Sequence, residues 1–160
     1  MVFPAGILQA PYFSASWPEY LAFGSFGSVA GHEISHAFDS AGRQYDSNGK
    51  LSNWWTNTTV ERFEKLADCF VKQYEKFYIV GPDGKRHYVQ ARLTLGEDGS
   101  DAGGLSQAFG AWKERFEGDR NMKRFKNYQL PGLAKYSREQ LFFIGALLFI
   151  DTDLATDVGR

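Results

Sequence analysis

The sequence predicts a mainly helical α+β domain with one small hairpin, and three observations carry that prediction. From Thr56 to Tyr78, apolar residues recur at helical spacing: Val60, Phe63, Leu66, Ala67, Phe70, Tyr74 and Phe77. Helix-start signals, a serine followed three residues later by Glu or Gln, stand before apolar runs at Ser16/Glu19 and Ser137/Gln140. One turn cluster, Gly81-Pro82-Asp83-Gly84, separates two short β-like runs, Phe77 to Val80 and His87 to Val89. At 160 residues the chain has the length of one domain, residues 1–160. It can bury about two-thirds of its unfolded surface.

Taken in order, residues 1 to 15 are apolar and interrupted by Pro4, Gly6 and Pro11, which predicts an extended segment. Ser16 is the expected N-cap of a helix that follows from Tyr20 to Asp39. Gly24, Gly27 and Gly31 each cost that helix about 1 kcal/mol. Close approach of another backbone is the expected compensation, and Gly42 is the expected terminator. Residues 43 to 56 read as a loop, with a turn over Asp46-Ser47-Asn48-Gly49-Lys50 and then Trp54-Trp55. The stripe from Thr56 to Tyr78 is a core-facing helical face. A further helix is expected through Leu93 to Phe116, again crowded by glycines at 99, 103 and 104. Small residues let two helices pack closely, so this helix is expected to lie against the Gly31 helix. Residues 117 to 132 read as a polar surface connection, Ser137 to Ile150 as a buried core helix, and Asp151 to Arg160 as an acidic tail.

Composition excludes some functions. A net charge of -1 lacks the basic excess of a nucleic-acid binder. The most apolar run, Leu141 to Ile150, is about half the length of a membrane span, so this segment is expected to make no membrane contact. Met1-Val2-Phe3-Pro4 lacks the charged start and apolar stretch of a signal peptide. Cys69 is the single cysteine; on composition alone it reads as a small buried hydrophobe, with an orphan awaiting an outside partner as the alternative. Asn57-Thr58-Thr59 is a glycosylation sequon, relevant in a secreted protein. His87, beside the hairpin, reads as an ordinary surface residue.

The chemistry is concentrated in Val29-Ala30-Gly31-His32-Glu33-Ile34-Ser35-His36-Ala37-Phe38-Asp39. Residues four apart stack on one helix face, so His32 and His36 can reach one metal ion. Glu33, beside the first histidine, completes the H-E-x-x-H arrangement of a zinc hydrolase, with the glutamate as general base. A catalytic zinc takes three protein ligands and keeps a fourth position open. Glu97, on the helix expected against this one, is the third candidate. A zinc-bound histidine usually donates its other N-H to a carboxylate or carbonyl. Asp101, one turn beyond Glu97, and Asp39, three residues after His36, are both candidates for that role.

These residues carry a resemblance. His32 to Asp39, Gly96-Glu97 and Asp101-Ala102-Gly103-Gly104 are similar to the neprilysin and endothelin-converting enzyme family. Val2 to Gln9, Gly42-Arg43, Trp54-Trp55, Leu130-Pro131-Gly132-Leu133 and Gln140-Leu141-Phe142-Phe143 add to it. The resemblance covers roughly residues 2 to 144. It implies a mainly helical zincin, the thermolysin-like catalytic subdomain, here truncated at both ends. It also implies an endopeptidase acting on peptides, often on the amino side of large apolar residues, in an extracellular or cell-surface setting. One zinc ion would be held by His32, His36 and Glu97, with Glu33 as base and Asp101 in support. Cys69 would pair with a cysteine outside this chain.

The departures set an alternative beside it. Ser35 replaces the family's threonine, and Asp98-Gly99-Ser100 replaces Asn-Ile-Ala, which is expected to loosen the helix after Glu97 and add negative charge. The family's Asn-Ala substrate strand, its Asp-x-His-Ser-Pro-x-x-x-Arg segment and its large helical domain all fall outside this sequence. Thr156-Asp157-Val158-Gly159-Arg160 only approaches the second of these. In the family the histidine of that segment stabilises the oxyanion, and losing one such donor typically costs about 2.7–4 kcal/mol. The alternative is therefore a zinc-binding but catalytically impaired module that binds peptides.

Overall fold

The computed structural model describes residues 1–118 and 126–157. Among the described residues the fold is mainly helical with one two-stranded antiparallel sheet, the expected class. Residues 119–125 of the polar stretch expected at 117 to 132, and Val158 to Arg160 at the end of the tail, lie outside the described residues. No helix among the described residues is long and apolar enough to cross a membrane. The fold divides into two compact units, Met1–Glu33 with Gly103–Arg160, and Ile34–Ala102.

In the first unit, the extended run expected over residues 1 to 15 is broken by a 3-10 turn at Ala5–Ile7 and the bends and turns that follow it through residue 12. Helix α1 (Glu19–Ala22) leads into a π-helical turn (Phe23–Gly27) and then α2 (Ser28–Ser35). The expected Ser16 cap is corrected here. Pro18, extended at φ -57° and ψ 144°, precedes the first helical residue and no side chain caps it. The fixed ring torsion of Pro18 starts the helix three residues beyond Ser16, whose hydroxyl instead meets that of Ser14 at 2.9 Å. Helix α5 (Arg138–Asp157) does carry its reciprocal cap. The Gln140 amide donates to Ser137 Oγ at 3.1 Å, and the Ser137 amide donates to Gln140 Oε1 at 2.8 Å.

The core of this unit is Tyr20, Ala108, Trp112, Leu141 and Phe142. The Trp112 and Phe142 rings stack with centroids 5.7 Å apart, and Phe109 meets Phe142 edge-on at 5.1 Å. A methyl group on Gly24 would collide with the Phe142 carbonyl, so α5 crosses the π turn at backbone distance. That contact is one of the close approaches the glycines predicted.

Asn127 corrects the reading of its stretch as surface, because it is fully buried. Its Oδ1 accepts from Trp112 Nε1 at 2.9 Å and from the Tyr20 amide at 3.2 Å. Its carbonyl accepts from Arg138 Nε at 2.6 Å. Buried donors left without an acceptor cost about 1–3 kcal/mol each. Asn127→Leu orphans two of them at once, and its unfolding midpoint in denaturant is expected to fall accordingly, with the slope unchanged.

In the second unit, α3 (Asn57–Tyr74) starts at Thr56, whose Oγ1 accepts from the Thr59 amide at 3.2 Å. Val60, Phe63, Ala67, Phe70, Val71 and Tyr74 form its covered face. Leu66 does not belong to that face: it lies about 90° round the helix and is 65% exposed. Phe77, beyond the helix end, is exposed as well. Strands β1 (Tyr78–Val80) and β2 (Arg86–Tyr88) pair antiparallel, with Ile79 opposite His87. The second strand sits one residue earlier than predicted. Gly84, at φ +73°, supplies the left-handed turn residue between them. His87 is exposed and faces Asp83 at 3.3 Å. Cys69 is exposed, which overturns its reading as a buried hydrophobe. Helix α4 (Ala91–Gly118) runs unbroken through Asp98-Gly99-Ser100, so the expected loosening there does not occur. The Thr94 hydroxyl donates to Asp98 Oδ2 at 2.7 Å, and Ser100 is buried, so side-chain contacts make up for the weak propensity.

Candidate metal centre

His32 lies in the last turn of α2, and His36 opens the 3-10 turn (His36–Phe38) that continues it. The predicted i, i+4 stacking is therefore present on one continuous helical stretch. Both imidazoles are half-buried, and Glu33 is exposed. The helical run ends at Phe38, not at Gly42. Asp39 turns extended at ψ -176° with its own amide donating back to the His36 carbonyl, and its carboxylate accepts from the Ala41 and Gly42 amides that follow. Gly42 serves a different need: a methyl group there would collide with the His36 carbonyl oxygen.

Glycine explains how α2 and α4 come together at this point. A methyl group on Gly31 would stand 2.7 Å from the Gly104 carbonyl oxygen, and one on Gly104 would run into the His32 amide nitrogen. No residue larger than glycine fits either position without backbone movement. Glu97 stands two turns before Gly104 on the same helix.

Glu97 is well exposed, and its Oε2 lies 3.5 Å from His36 Nε2. His32, His36 and Glu97 each offer one ligand atom, and the three atoms lie within 4.8 Å of one another. Two ligands about 2.1 Å from a tetrahedral ion stand about 3.4 Å apart. The His36–Glu97 spacing fits that geometry, and two imidazoles with a carboxylate are a donor set suited to zinc.

His36 is held from behind. Its Nδ1 lies 2.7 Å from Asp39 Oδ2 and 3.2 Å from Ser100 Oγ. Asp39 Oδ1 accepts from the Gly42 amide at 2.7 Å and the Ala41 amide at 2.8 Å. Burial pushes the Asp39 carboxyl up, but the Gly42 amide, the His36 ring and the Ala41 amide together hold it below the usual carboxylate range. Gly96 makes room for this carboxylate on α4: a methyl group there would lie 3.2 Å from Asp39 Oδ2. With Nδ1 turned to a carboxylate, Nε2 is the nitrogen presented towards Glu97.

Asp101 follows Glu97 by one turn and is exposed. Its charge acts on two neighbours. Tyr74 is raised by burial first, then by Asp98 and Asp101. Asp98 is also raised, chiefly by burial, with the Thr94 hydrogen bond opposing and Asp101 and Glu97 adding to the rise. The negative charge at residue 98 is thus half-buried and tied to Thr94. Ser100 is the contact that sequence reasoning missed. The available signal was its position three residues after Glu97, on the side of the helix that faces inward.

The model of Peptidase family M13 matches residues 1–157. The chain is 43% identical over 145 residues to human endothelin-converting enzyme 1, covering 91% of this chain and 17% of that protein. It is 41% identical over 145 residues to Neprilysin-1 of Caenorhabditis elegans, covering 91% of this chain and 18% of that one. Among solved structures, it is similar to Mycobacterium tuberculosis zinc metalloprotease Zmp1 in complex with inhibitor. That match has a TM-score of 0.79 at 32% identity, over 92% of this chain and 22% of the other. The chain spans less than a fifth of the length of these curated relatives. A match over nearly the whole chain, with the histidine pair and Glu97 gathered at one point, leads to one assignment: the chain belongs to peptidase family M13.

Proposed function

We propose that this chain is the zinc-holding catalytic domain of a metalloendopeptidase acting on peptides. The observation that carries the reading is the 3.5 Å approach of His36 Nε2 to Glu97 Oε2, with Nδ1 of the same ring turned to Asp39. His32, His36 and Glu97 would hold one zinc ion, which when bound supplies Lewis-acid polarisation of the scissile carbonyl and an acidified water.

The protein's own groups do the rest. Glu33, exposed beside His32, takes the proton of the attacking water and passes it to the departing amine nitrogen. The C–N bond breaks as that proton arrives, so the amine leaves neutral. Asp39 holds the His36 ring in the orientation that presents Nε2, and Asp101 supports the site from one turn beyond Glu97. Peptides cut beside large apolar residues, in an extracellular or cell-surface setting, follow from the family resemblance.

The test compares peptide cleavage and bound zinc in the wild-type chain and in Glu33→Gln. The wild type is expected to cleave, and Glu33→Gln to hold zinc while losing about 10²–10⁴ in rate, the usual contribution of a positioned acid–base group. If both variants hold zinc and are equally inactive, the chain is a zinc-containing peptide-binding module, and the peptidase reading falls.

A further inference from the structure

We infer that Ser100 is a positioning residue for His36, tying that imidazole to the helix that carries Glu97. The inference rests on His36 presenting Nε2 to a metal ion, as proposed above. Ser100 is 1% exposed, so its hydroxyl needs a partner inside the protein. Its Oγ lies 3.2 Å from His36 Nδ1, a nitrogen that also has Asp39 Oδ2 at 2.7 Å. A neutral imidazole carries one N–H. With Nε2 kept as a lone-pair donor, that proton sits on Nδ1 and is shared between a near carboxylate and a more distant hydroxyl, a three-centre bond.

The two acceptors do different work because they stand on different segments. Asp39 is three residues from His36, and its other oxygen is committed to the Ala41 and Gly42 amides. It sets the ring relative to its own turn. Ser100 is 64 residues away in sequence, three after Glu97 on α4. It sets the ring relative to the Glu97 carboxylate. The 3.5 Å spacing between His36 Nε2 and Glu97 Oε2 then follows from two anchors rather than one.

The experiment uses the chain with Ser100→Ala, Asp39→Ala and the double substitution. Two readouts are taken: zinc affinity by chelator competition, and the ¹⁵N and N–H proton signals of the His36 ring in metal-free protein. Partners that orient a metal ligand are typically worth 10- to 100-fold in affinity. Ser100→Ala is expected to weaken zinc by about tenfold, at the lower end of that range, and Asp39→Ala by more. In the Asp39→Ala background, removing Ser100 is expected to cost more than it does in wild type, because the shared proton then leans on the hydroxyl. The His36 Nδ1–H signal is expected to shift and exchange faster in Ser100→Ala. An unchanged His36 signal, with zinc affinity within twofold in both backgrounds, overturns the inference. If the wild-type chain binds no zinc, the metal reading fails by itself, and the ring signals of the metal-free variants still decide the role of Ser100.

Discussion

Glu97→Ala is expected to lower zinc affinity by more than about 100-fold, beyond the range seen when only a ligand's supporting partner is removed. The reason is the count of ligands. A catalytic zinc needs three protein donors, and removal of Glu97 leaves two imidazoles on one helical stretch. The substitution should leave the fold intact: the Glu97 side chain is 67% exposed, and surface replacements of that kind usually fall within about ±0.5 kcal/mol. Binding and stability therefore separate cleanly. Glu97→Asp is expected to fall between wild type and alanine, because the charge is kept while the reach shortens by one carbon–carbon bond, about 1.5 Å. Equilibrium dialysis against a zinc buffer, with thermal unfolding as the control, checks both variants. Unchanged metal content in Glu97→Ala would remove Glu97 from the ligand set.

Gly104→Ala is expected to destabilise the protein by more than about 3 kcal/mol, above the usual range for overpacking a core. Helix propensity pulls the other way, since alanine is worth about 1 kcal/mol over glycine within a helix. The clash decides the sign. The added carbon would run into the His32 amide nitrogen and lie 2.6 Å from the Ser28 carbonyl oxygen and 2.8 Å from His32 Cα. All three are backbone atoms of α2, so no side chain can turn aside to relieve the contact. Gly110 provides the internal control on the same helix: it has open space where a Cβ would stand. Gly110→Ala is expected to stabilise by about 0.4–1 kcal/mol. At about 2–4 °C per kcal/mol for a chain of this size, thermal unfolding should show shifts of opposite sign. Equal shifts from the two alanines would mean that the glycines reflect only propensity.

Much of the centre was legible because helical spacing is a local rule. The i, i+4 placement of His32 and His36 follows from the repeat of the helix, and the structure has it. The glycines at 24, 31 and 104 mark close backbone contact as expected, whereas Gly99, in the same glycine-crowded run, has open space where a Cβ would stand. The reciprocal cap at Ser137 and Gln140 was readable for the same local reason. Ser16 failed as a cap because the proline two residues on dictates where the helix starts. Leu66 failed as a core residue because a stripe of apolar letters at mixed 3- and 4-residue steps tolerates a member that sits off the face. Neither error involves distant residues; each is a competition between two local rules.

What the sequence alone determined is the inventory: a histidine pair at helical spacing with a glutamate between, a carboxylate-bearing helix downstream, and small residues where two helices must meet. Tertiary structure decided the partnerships. The carboxylate on His36 Nδ1 is Asp39, joined there by the Ser100 hydroxyl, and Asn127 is a buried hub rather than a surface residue. These depend on which groups are brought together across 64 residues in one case and 107 in another. A hydrogen bond is worth little until its partners are placed and desolvated together, so sequence spacing offers candidates without saying which of them is taken.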